Sequence, residues 1–554
     1  MQVTNSEIAD IFKFFGNLLE LHGENEFKSR SYHTASFRID KLPMQLFSLS
    51  VDERQSIEGI GKGIFSKIEE ILNTGHLNEL EKLVDLTPVG VIQMMRIKGI
   101  GPKKVRQIWK QLEVESVGEL LYACNENRLV GLSGFGVKTQ QQIIRSIEFL
   151  QSNADKLHFN EAESIATEII ISFQKNGWKA EMVGELSRKC EIINLLEIIV
   201  GSNELNWNFI HGILAGFNFT PASGDSETQR FTSSSCTLPM VIHFALPEDW
   251  SVLKFKLQST SEFLEAVQFT DLSFSTEDSF FLNRSLPFII PEMRENKESL
   301  EWARLISDPS RIVSFSDLKG CIHNHSNWSD GANSIAEMAE ACQDLGLQYF
   351  VISDHSKTAF YANGLSVERV NQQQREIDLL NTKWQNFKVF KSIESDILGD
   401  GSLDYDAEVL QTFDLVIASV HSNLKMDEER ATKRILTAIE NPYTRILGHP
   451  TGRLLLSRPG YPIDHRKIID ACASNKVAIE LNAHPYRLDL DWRWISYAQN
   501  KGILISINPD AHEIAGIRHM QYGINVARKA GLLAENTLNT FSLEKFENWV
   551  RKGK

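Results

Sequence analysis

Six histidines and three carboxylates in the last part of the chain have types and spacing that suit metal chemistry. The stretch DLKGCIHNHSNWSDG holds His323 and His325 at alternate positions, with Asp330 five residues further on. Then come His355 in VISDHS, Glu394 in SIESDILGDGSLDY, His421 in VIASVHS, His449 in ILGHPTGR, and Asp510 and His512 in SINPDAHE. Nearly all stand where an apolar, strand-like run meets a loop. A lone histidine is ordinarily a hydrogen-bonded core or surface residue. Six of 15 at successive strand ends form a pattern. Imidazole with carboxylate suits zinc, manganese or iron. A shared carboxylate bridges ions, and clustered ions hold a phosphate while activating water. Lys357 in SDHSK and Arg453 in GHPTGR are candidate phosphate contacts, each with a plain surface charge as its alternative. Arg487 in NAHPYRLDL is an alternative candidate or a loop brace, and His484 in the same segment is left outside the cluster.

The elements that must position these residues follow from patterning. From about residue 316 to 554, apolar runs (YFVISDH, LVIASVHS, RILGHP, KVAIELNAHP, ILISINPDAH) alternate with helical stretches. That alternation predicts a parallel β/α barrel, whose strand ends converge on one face. Residues 301–315 read as a linker, within a segment that includes a helix. Residues 151–300 read as α+β: β-rich runs such as Glu191–Val200 and Met240–Ala245 are separated by polar stretches like PASGDSETQRFTSSS. Residues 1–150 read as helical, with apolar residues at helical spacing in IADIFKFFGNLLELHG and IFSKIEEILNTGHLNELEKLVDL.

Three glycine turns punctuate that helical region. The first holds Gly59, Gly61, Lys62 and Gly63; the second Gly99, Gly101, Lys103 and Lys104; the third Gly134, Gly136 and Lys138. Glycine lets a backbone approach closely, and helix N-terminal N–H groups bind anions. Glycine turns used only for packing are the alternative.

The 554 residues carry 58 basic and 72 acidic side chains, a net charge of −14. As a whole, that disfavours a nucleic-acid partner. Divided by region it says less. Residues 1–150 hold 18 basic and 19 acidic side chains, 151–300 hold 11 and 21, and the rest 29 and 32. The acidic excess lies mostly in the middle. The six cysteines form no C-x-x-C pair. No secretory leader or apolar membrane-length run is read, so a reducing cytoplasm is expected.

The glycine turns resemble helix-hairpin-helix motifs, which contact the DNA backbone without reading sequence. Residues 316–554 closely resemble the PHP (polymerase and histidinol phosphatase) family. That resemblance implies a distorted (β/α)7 barrel, two or three divalent ions (Mn2+ or Zn2+) and phosphoester hydrolysis. It places the nine ligand positions on His323, His325, Asp330, His355, Glu394, His421, His449, Asp510 and His512, with Glu394 also assigned to catalysis. The order of modules resembles the bacterial family X DNA polymerases with a C-terminal PHP domain. ADIFKFFGNLLELHGENEFKSRSYHTAS and PEMRENKE resemble that family's N-terminal domain and thumb end. The implied organisation is an all-α DNA-binding region, a nucleotidyltransferase-like palm and thumb, and the barrel. The implied activity is a Mn2+-dependent 3′→5′ exonuclease or end-processing phosphoesterase acting on DNA in base excision repair.

One part of the family pattern is missing. Polymerase chemistry needs three carboxylates for two Mg2+ ions. The stretch matching the first two begins at Gly184, and there Glu185 replaces a serine, Leu195 an aspartate and Glu197 an aspartate. The third position falls on Val241 in VIHFALPE. Leucine and valine offer no oxygen ligand, so the middle region is read as a degenerate polymerase core serving as scaffold. The rival readings are an active repair polymerase with the barrel as proofreader, a small-molecule phosphatase, and a DNA-binding scaffold with structural metals.

Overall fold

The computed structural model describes residues 3–42, 44–57, 60–126, 128–153, 155–225, 227–270 and 274–552. The chain forms two compact units, Met1–Ala154 and Asp155–Lys554.

The first unit is helical. Thr4 and Glu7 form a capping box that starts the helix Asn5–His22, which ends at Gly23 in the left-handed conformation. Phe12, Phe15 and Leu19 from this helix pack with Tyr32, Ile68 and Ile71. Leu18 and Leu21 pack into a second core with Val91, Ile108 and Ile143. The glycine turns begin helices as expected. Gly61 caps Lys62–Thr74 and Gly101 caps Pro102–Leu112. Gly136 immediately precedes Val137–Asn153. Gly59 lies outside the described residues.

The second unit begins with a five-stranded mixed sheet: β1 (Lys179–Met182), β2 (Leu196–Gly201), β3 (Phe219–Gly224), β4 (Thr228–Ser233) and β5 (Met240–Ala245), in the order β1-β2-β5-β4-β3. Only β2 and β5 run parallel. The polar stretch PASGDSETQRFTSSS, expected to separate strands, instead forms most of the β3–β4 hairpin. The hairpin lies at the sheet edge and buries only Phe219 and Phe231 of its two strands, so no apolar run marks it. Beyond the sheet, the rings of Phe255, Phe281 and Phe288 lie within 5.8 Å of the Arg294 guanidinium, which is fully buried and paired with Glu277.

The barrel contains β6 (Gly320–Asn324), β7 (Tyr349–Ile352), β8 (Lys388–Asp396), β9 (Leu415–Ser419), β10 (Thr444–Leu447), β11 (Ala478–Asn482) and β12 (Ile505–Asn508). The strands are all parallel and lie in chain order, with helices between them. The sheet nearly closes: just beyond β12, a bridge joins Asn324 to Ala511. This is the parallel β/α barrel that the patterning predicts, with the seven strands that the PHP resemblance implies. Every strand residue of β7, β9, β10, β11 and β12 is buried, as parallel strands covered on both faces require.

At the start of β6, a methyl group on Gly320 would collide with the ring of Tyr349, which is buried and stacked on Phe546 at 4.3 Å. In the helix Trp207–Ala215, a methyl on Gly212 would meet open space. Gly320→Ala is therefore expected to lower stability by about 1–3 kcal/mol. Gly212→Ala should raise it by about 0.5–1 kcal/mol. Denaturant unfolding of the two variants checks the opposite signs.

Candidate active site

The nine expected ligands come from loops and strand ends on one face of the barrel. Glu394 stands near the end of β8 and is 1% exposed. Its Oε1 lies 3.3 Å from His323 Nε2, 3.1 Å from His421 Nε2 and 2.9 Å from His449 Nε2. Its Oε2 lies 3.0 Å from His355 Nδ1 and 3.7 Å from His325 Nε2. Asp510 Oδ1 is 3.1 Å from His325 Nε2 and 3.7 Å from His323 Nε2. Asp330 Oδ1 is 3.5 Å from His512 Nε2, 3.7 Å from His355 Nε2 and 3.9 Å from His325 Nδ1. All nine residues are thus brought together.

Divalent ions fit this arrangement. Donor atoms lie within 4.8 Å of one another in three groups: His325, Asp330, His355 and His512; His323, His325 and Asp510; His355, Glu394 and His421. His325 and His355 each belong to two groups, so neighbouring ions would share a rim. His449 joins through Glu394. His323 Nε2, His325 Nδ1 and Glu394 Oε2 are buried and make no hydrogen bond. The donors are nitrogen and oxygen without thiolate, a set that suits zinc, manganese or iron.

A second layer orients the imidazoles. His323 Nδ1 is 2.6 Å from Glu480 Oε2, and His421 Nδ1 is 2.5 Å from Asp396 Oδ1. With Nδ1–H donated outward, Nε2 keeps its lone pair for the centre. Glu480 also accepts from the His449 backbone N–H at 3.1 Å and from Asn508 Nδ2 at 2.7 Å. Asp354 is fully buried and accepts from the Ser326 backbone and hydroxyl, both at 2.7 Å, fixing the loop between His325 and Asp330. Burial raises the pKa of Asp354. Backbone strain is placed here too: His323 has φ 62°, where the β6–β7 register shifts, and Asp510 has φ 52°. Each left-handed residue costs about 1–3 kcal/mol.

The electrostatics follow from burying anions among imidazoles. Burial opposes the charged form of both partners. Burial alone would raise Glu394 and Asp510, yet the surrounding histidines hold both carboxyls well below their ordinary range. Burial would lower His323, but Glu480, Glu394 and Asp510 raise it well above its usual value. His421 is likewise carried to about 10 by Glu394 and Asp396, and His512 to about 9 by Asp330 and Asp510, against burial. His325 differs: burial, then His512 and His355, push it down to about 3. The carboxylates thus demand positive charge, which protons or metal ions supply.

The candidate phosphate contacts separate. Arg453 must be corrected, because all three of its guanidinium nitrogens are engaged elsewhere. They bond Glu191 at 3.0 Å, Asp491 at 2.8 Å, the Arg487 carbonyl at 2.9 Å and the Leu488 carbonyl. Arg453 therefore braces the loop after His449 against the middle sheet region and the β11 loop. Lys357 is exposed on the loop after β7, with its Nζ 5.4 Å from the Tyr405 ring. Arg487 is the cation that reaches the centre: its Nε lies 4.0 Å from Asp510 Oδ2, and its guanidinium makes no hydrogen bond among the described residues.

Glu480 and Asp396 were not singled out by the sequence reading, and Asp354 was read only as His355's neighbour in the constellation. A lone carboxylate inside the apolar run VAIELN, and the E-x-D spacing of Glu394 and Asp396, were the available signals.

At the glycine turns, Gly99 and Gly134 have φ 101° and 83°. A methyl on Gly61, Gly63, Gly101 or Gly136 would meet nothing within 4 Å. Lys62 and Lys138 are exposed, Lys103 pairs with Glu26 at 2.8 Å, and Lys104 lies 5.4 Å from the Phe135 ring. In the middle sheet, Glu197 pairs in register with Val241 across β2 and β5. Glu197 packs against Gly184 and lies 3.4 Å from His243 Nε2. Leu195 is half-buried just before β2, and Glu185 accepts from the Asn194 backbone at 2.6 Å. Of the positions Leu195, Glu197 and Val241, one carries a carboxylate.

Glu480→Gln keeps the shape but weakens the acceptor behind His323 Nδ1. Metal affinity is expected to fall about 10–100-fold, read by equilibrium titration of the metal-free protein, while circular dichroism stays unchanged.

Comparison with known proteins agrees with this geometry. A helix-hairpin-helix domain family matches residues 3–77, a SAM-like helix-hairpin-helix tandem family matches 91–148, and the PHP domain family matches 322–484. A probable phosphatase of Thermoanaerobacter sp. (strain X514) is 28% identical over 249 residues, 42% of this chain and 94% of its own length. A probable phosphatase of Vibrio atlanticus is 26% identical over 35% of this chain and 79% of its own length. The DNA polymerase/3′-5′ exonuclease PolX of Bacillus subtilis (strain 168) is 34% identical across 99% of both chains. With helix-hairpin-helix modules, a histidine- and carboxylate-lined PHP barrel and a match along nearly its whole length, the chain belongs to the PolX family of DNA polymerase/3′-5′ exonucleases.

Proposed function

We propose that the chain is a divalent-metal-dependent phosphoesterase that removes nucleotides from DNA 3′ ends, with its middle region retained as scaffold. The carrying observation is the meeting of nine imidazole and carboxylate residues around Glu394, at donor spacings suited to more than one ion. When bound, Mn2+ or Zn2+ would draw charge from a phosphate and make a water acidic enough to attack it. The chain's own residues prepare that step. Glu480 and Asp396 orient the imidazoles of His323 and His421. Arg487 would take a phosphoryl oxygen, since its guanidinium Nε lies 4.0 Å from Asp510 Oδ2 and makes no hydrogen bond among the described residues. The walls of buried His and Asp side chains limit water to the mouth, where His512 is 41% exposed.

Substrate class is drawn from the N-terminal unit. Its glycine turns and the lysines beyond them suit sequence-independent contact with a DNA backbone. The proposed setting is base excision repair in the cytoplasm. No described helix is long and apolar enough to cross a membrane. The degenerate polymerase reading rests on Leu195 and Val241, which supply no metal ligand, and on the pairing of Glu197 with His243. The rival, a working polymerase, draws on the full-length similarity to the Bacillus subtilis protein. The small-molecule phosphatase reading draws on the phosphatases that match the barrel part of the chain.

One set of assays separates these readings. With Mn2+ and 5′-labelled DNA, the wild type should shorten the strand from its 3′ end, and Glu394→Ala should lose at least about 100-fold in rate, about 2.7 kcal/mol of transition-state stabilisation. Primer extension should give no incorporation. Incorporation would overturn the scaffold assignment, and release of phosphate from small esters without DNA degradation would overturn the DNA assignment.

A further inference from the structure

We propose that the loop between β7 and the helix Val367–Asn381 is a nucleobase platform, on which Phe360 stacks against a base of a single-stranded 3′ end. The inference rests on the exonuclease reading and names its substrate more narrowly. Phe360 is 87% exposed, while its neighbours Ala359 and Ala362 are buried. A single exposed apolar residue needs no explanation by itself. The way this one is held does.

The loop starts at the candidate metal ligand His355 and returns to it: the Leu365 N–H donates to the His355 carbonyl at 2.9 Å, and the Gly364 N–H to the Ala359 carbonyl at 3.0 Å. Thr358 ties it to the second layer, donating its hydroxyl to Asp396 at 2.9 Å and its N–H to Asp404 at 2.7 Å. Asp396 is the carboxylate that orients His421. Arg369 donates to the Asn363 carbonyl at 2.8 Å and to the Trp328 carbonyl, two residues before Asp330. The loop is therefore stitched to the segments carrying His355, Glu394 and Asp330, and Phe360 stands exposed on it.

Phe360 is five residues from His355, which limits the separation of their Cα atoms to about 17 Å. That is within reach of the nucleotides next to a phosphate at the metal centre. Lys357, exposed on the same loop, adds a cation for the backbone. An aromatic face beside a cation is the sequence-tolerant way of holding single strands, worth about 1–3 kcal/mol per stacked base. A paired end keeps its bases stacked inside the duplex, so the platform selects single-stranded or frayed ends.

The test compares full-length wild type, Phe360→Ala and Phe360→Trp with Mn2+ on two single-stranded oligonucleotides. One has ordinary 3′-terminal nucleotides; the other has abasic residues at its last three positions. Phe360→Ala should raise KM for the ordinary strand about 5- to 150-fold with kcat within about twofold. Phe360→Trp should retain the wild-type KM. Wild type should disfavour the abasic strand by a similar factor, and Phe360→Ala should treat both strands alike. Unchanged KM in Phe360→Ala, or an equal loss on both strands, overturns the platform while leaving the exonuclease reading standing. Failure of wild type to degrade either strand while it hydrolyses a small phosphoester removes the exonuclease reading and the platform with it.

Discussion

A carboxylate buried at 1% exposure, with five imidazoles within 4 Å, is the constraint around which the barrel is arranged. An isolated anion in that position would be prohibitively unfavourable. Glu394 is tolerated because strands β6, β9 and β10 and the loop after β7 each direct a histidine at it. Two of those imidazoles, His323 and His421, have their far nitrogens held by Glu480 and Asp396, two further buried acids. Compensating one charge thus recruits more charge, and the set closes only when cations enter the centre. The left-handed backbone at His323 and Asp510 fits the same logic. Strain persists where surrounding interactions over-determine a residue's position.

The middle region's relation to the barrel gives a physical reason for a sheet without a complete polymerase carboxylate set. Arg453, four residues beyond His449, joins Glu191 of the middle region to Asp491 of the β11 loop. Lys529, almost wholly buried, places its ammonium on Glu295 and on the Arg188 carbonyl at 3.0 Å. Trp302 donates to the Gly531 carbonyl at 3.0 Å. Truncating one partner of a buried pair leaves an uncompensated charge, a loss of about 3–5 kcal/mol. Deleting the middle region would strand several such charges beside the segments that carry His449 and Arg487. These contacts constrain the middle-region residues independently of whether Leu195, Glu197 and Val241 take part in metal chemistry.

The nine candidate ligands, which the fold brings together, were legible in the sequence because polar residues at the ends of parallel strands interrupt apolar runs at a recurring position. The acids behind them were not. Glu480 in VAIELN and Asp396 in SIESD each lie buried in a strand, and an acid there signals a hydrogen bond without naming its partner. Arg453 and Arg487 show the same limit. Both follow a strand-end histidine in a polar loop. Which of them faces the centre depends on Glu191, 262 positions away from Arg453. The β3–β4 hairpin escaped for a different reason: with two buried aromatics in its strands, it has almost no alternation to read.

The open glycines carry the argument beyond the barrel. Gly99 and Gly134 need glycine for their backbone angles. Gly61, Gly101 and Gly136 do not: their φ values are not left-handed, and a methyl there would meet nothing within 4 Å among the described residues. Glycine is itself a favoured N-cap, and the open space at those three helix starts also lets an external partner come within backbone distance; an anionic one suits the exposed N–H groups of a helix N-terminus. Such contacts are blind to sequence, as is stacking on an aromatic face and as is metal-assisted attack on phosphate. On the proposed reading, three elements that each ignore base identity would recognise where a strand ends rather than what it encodes.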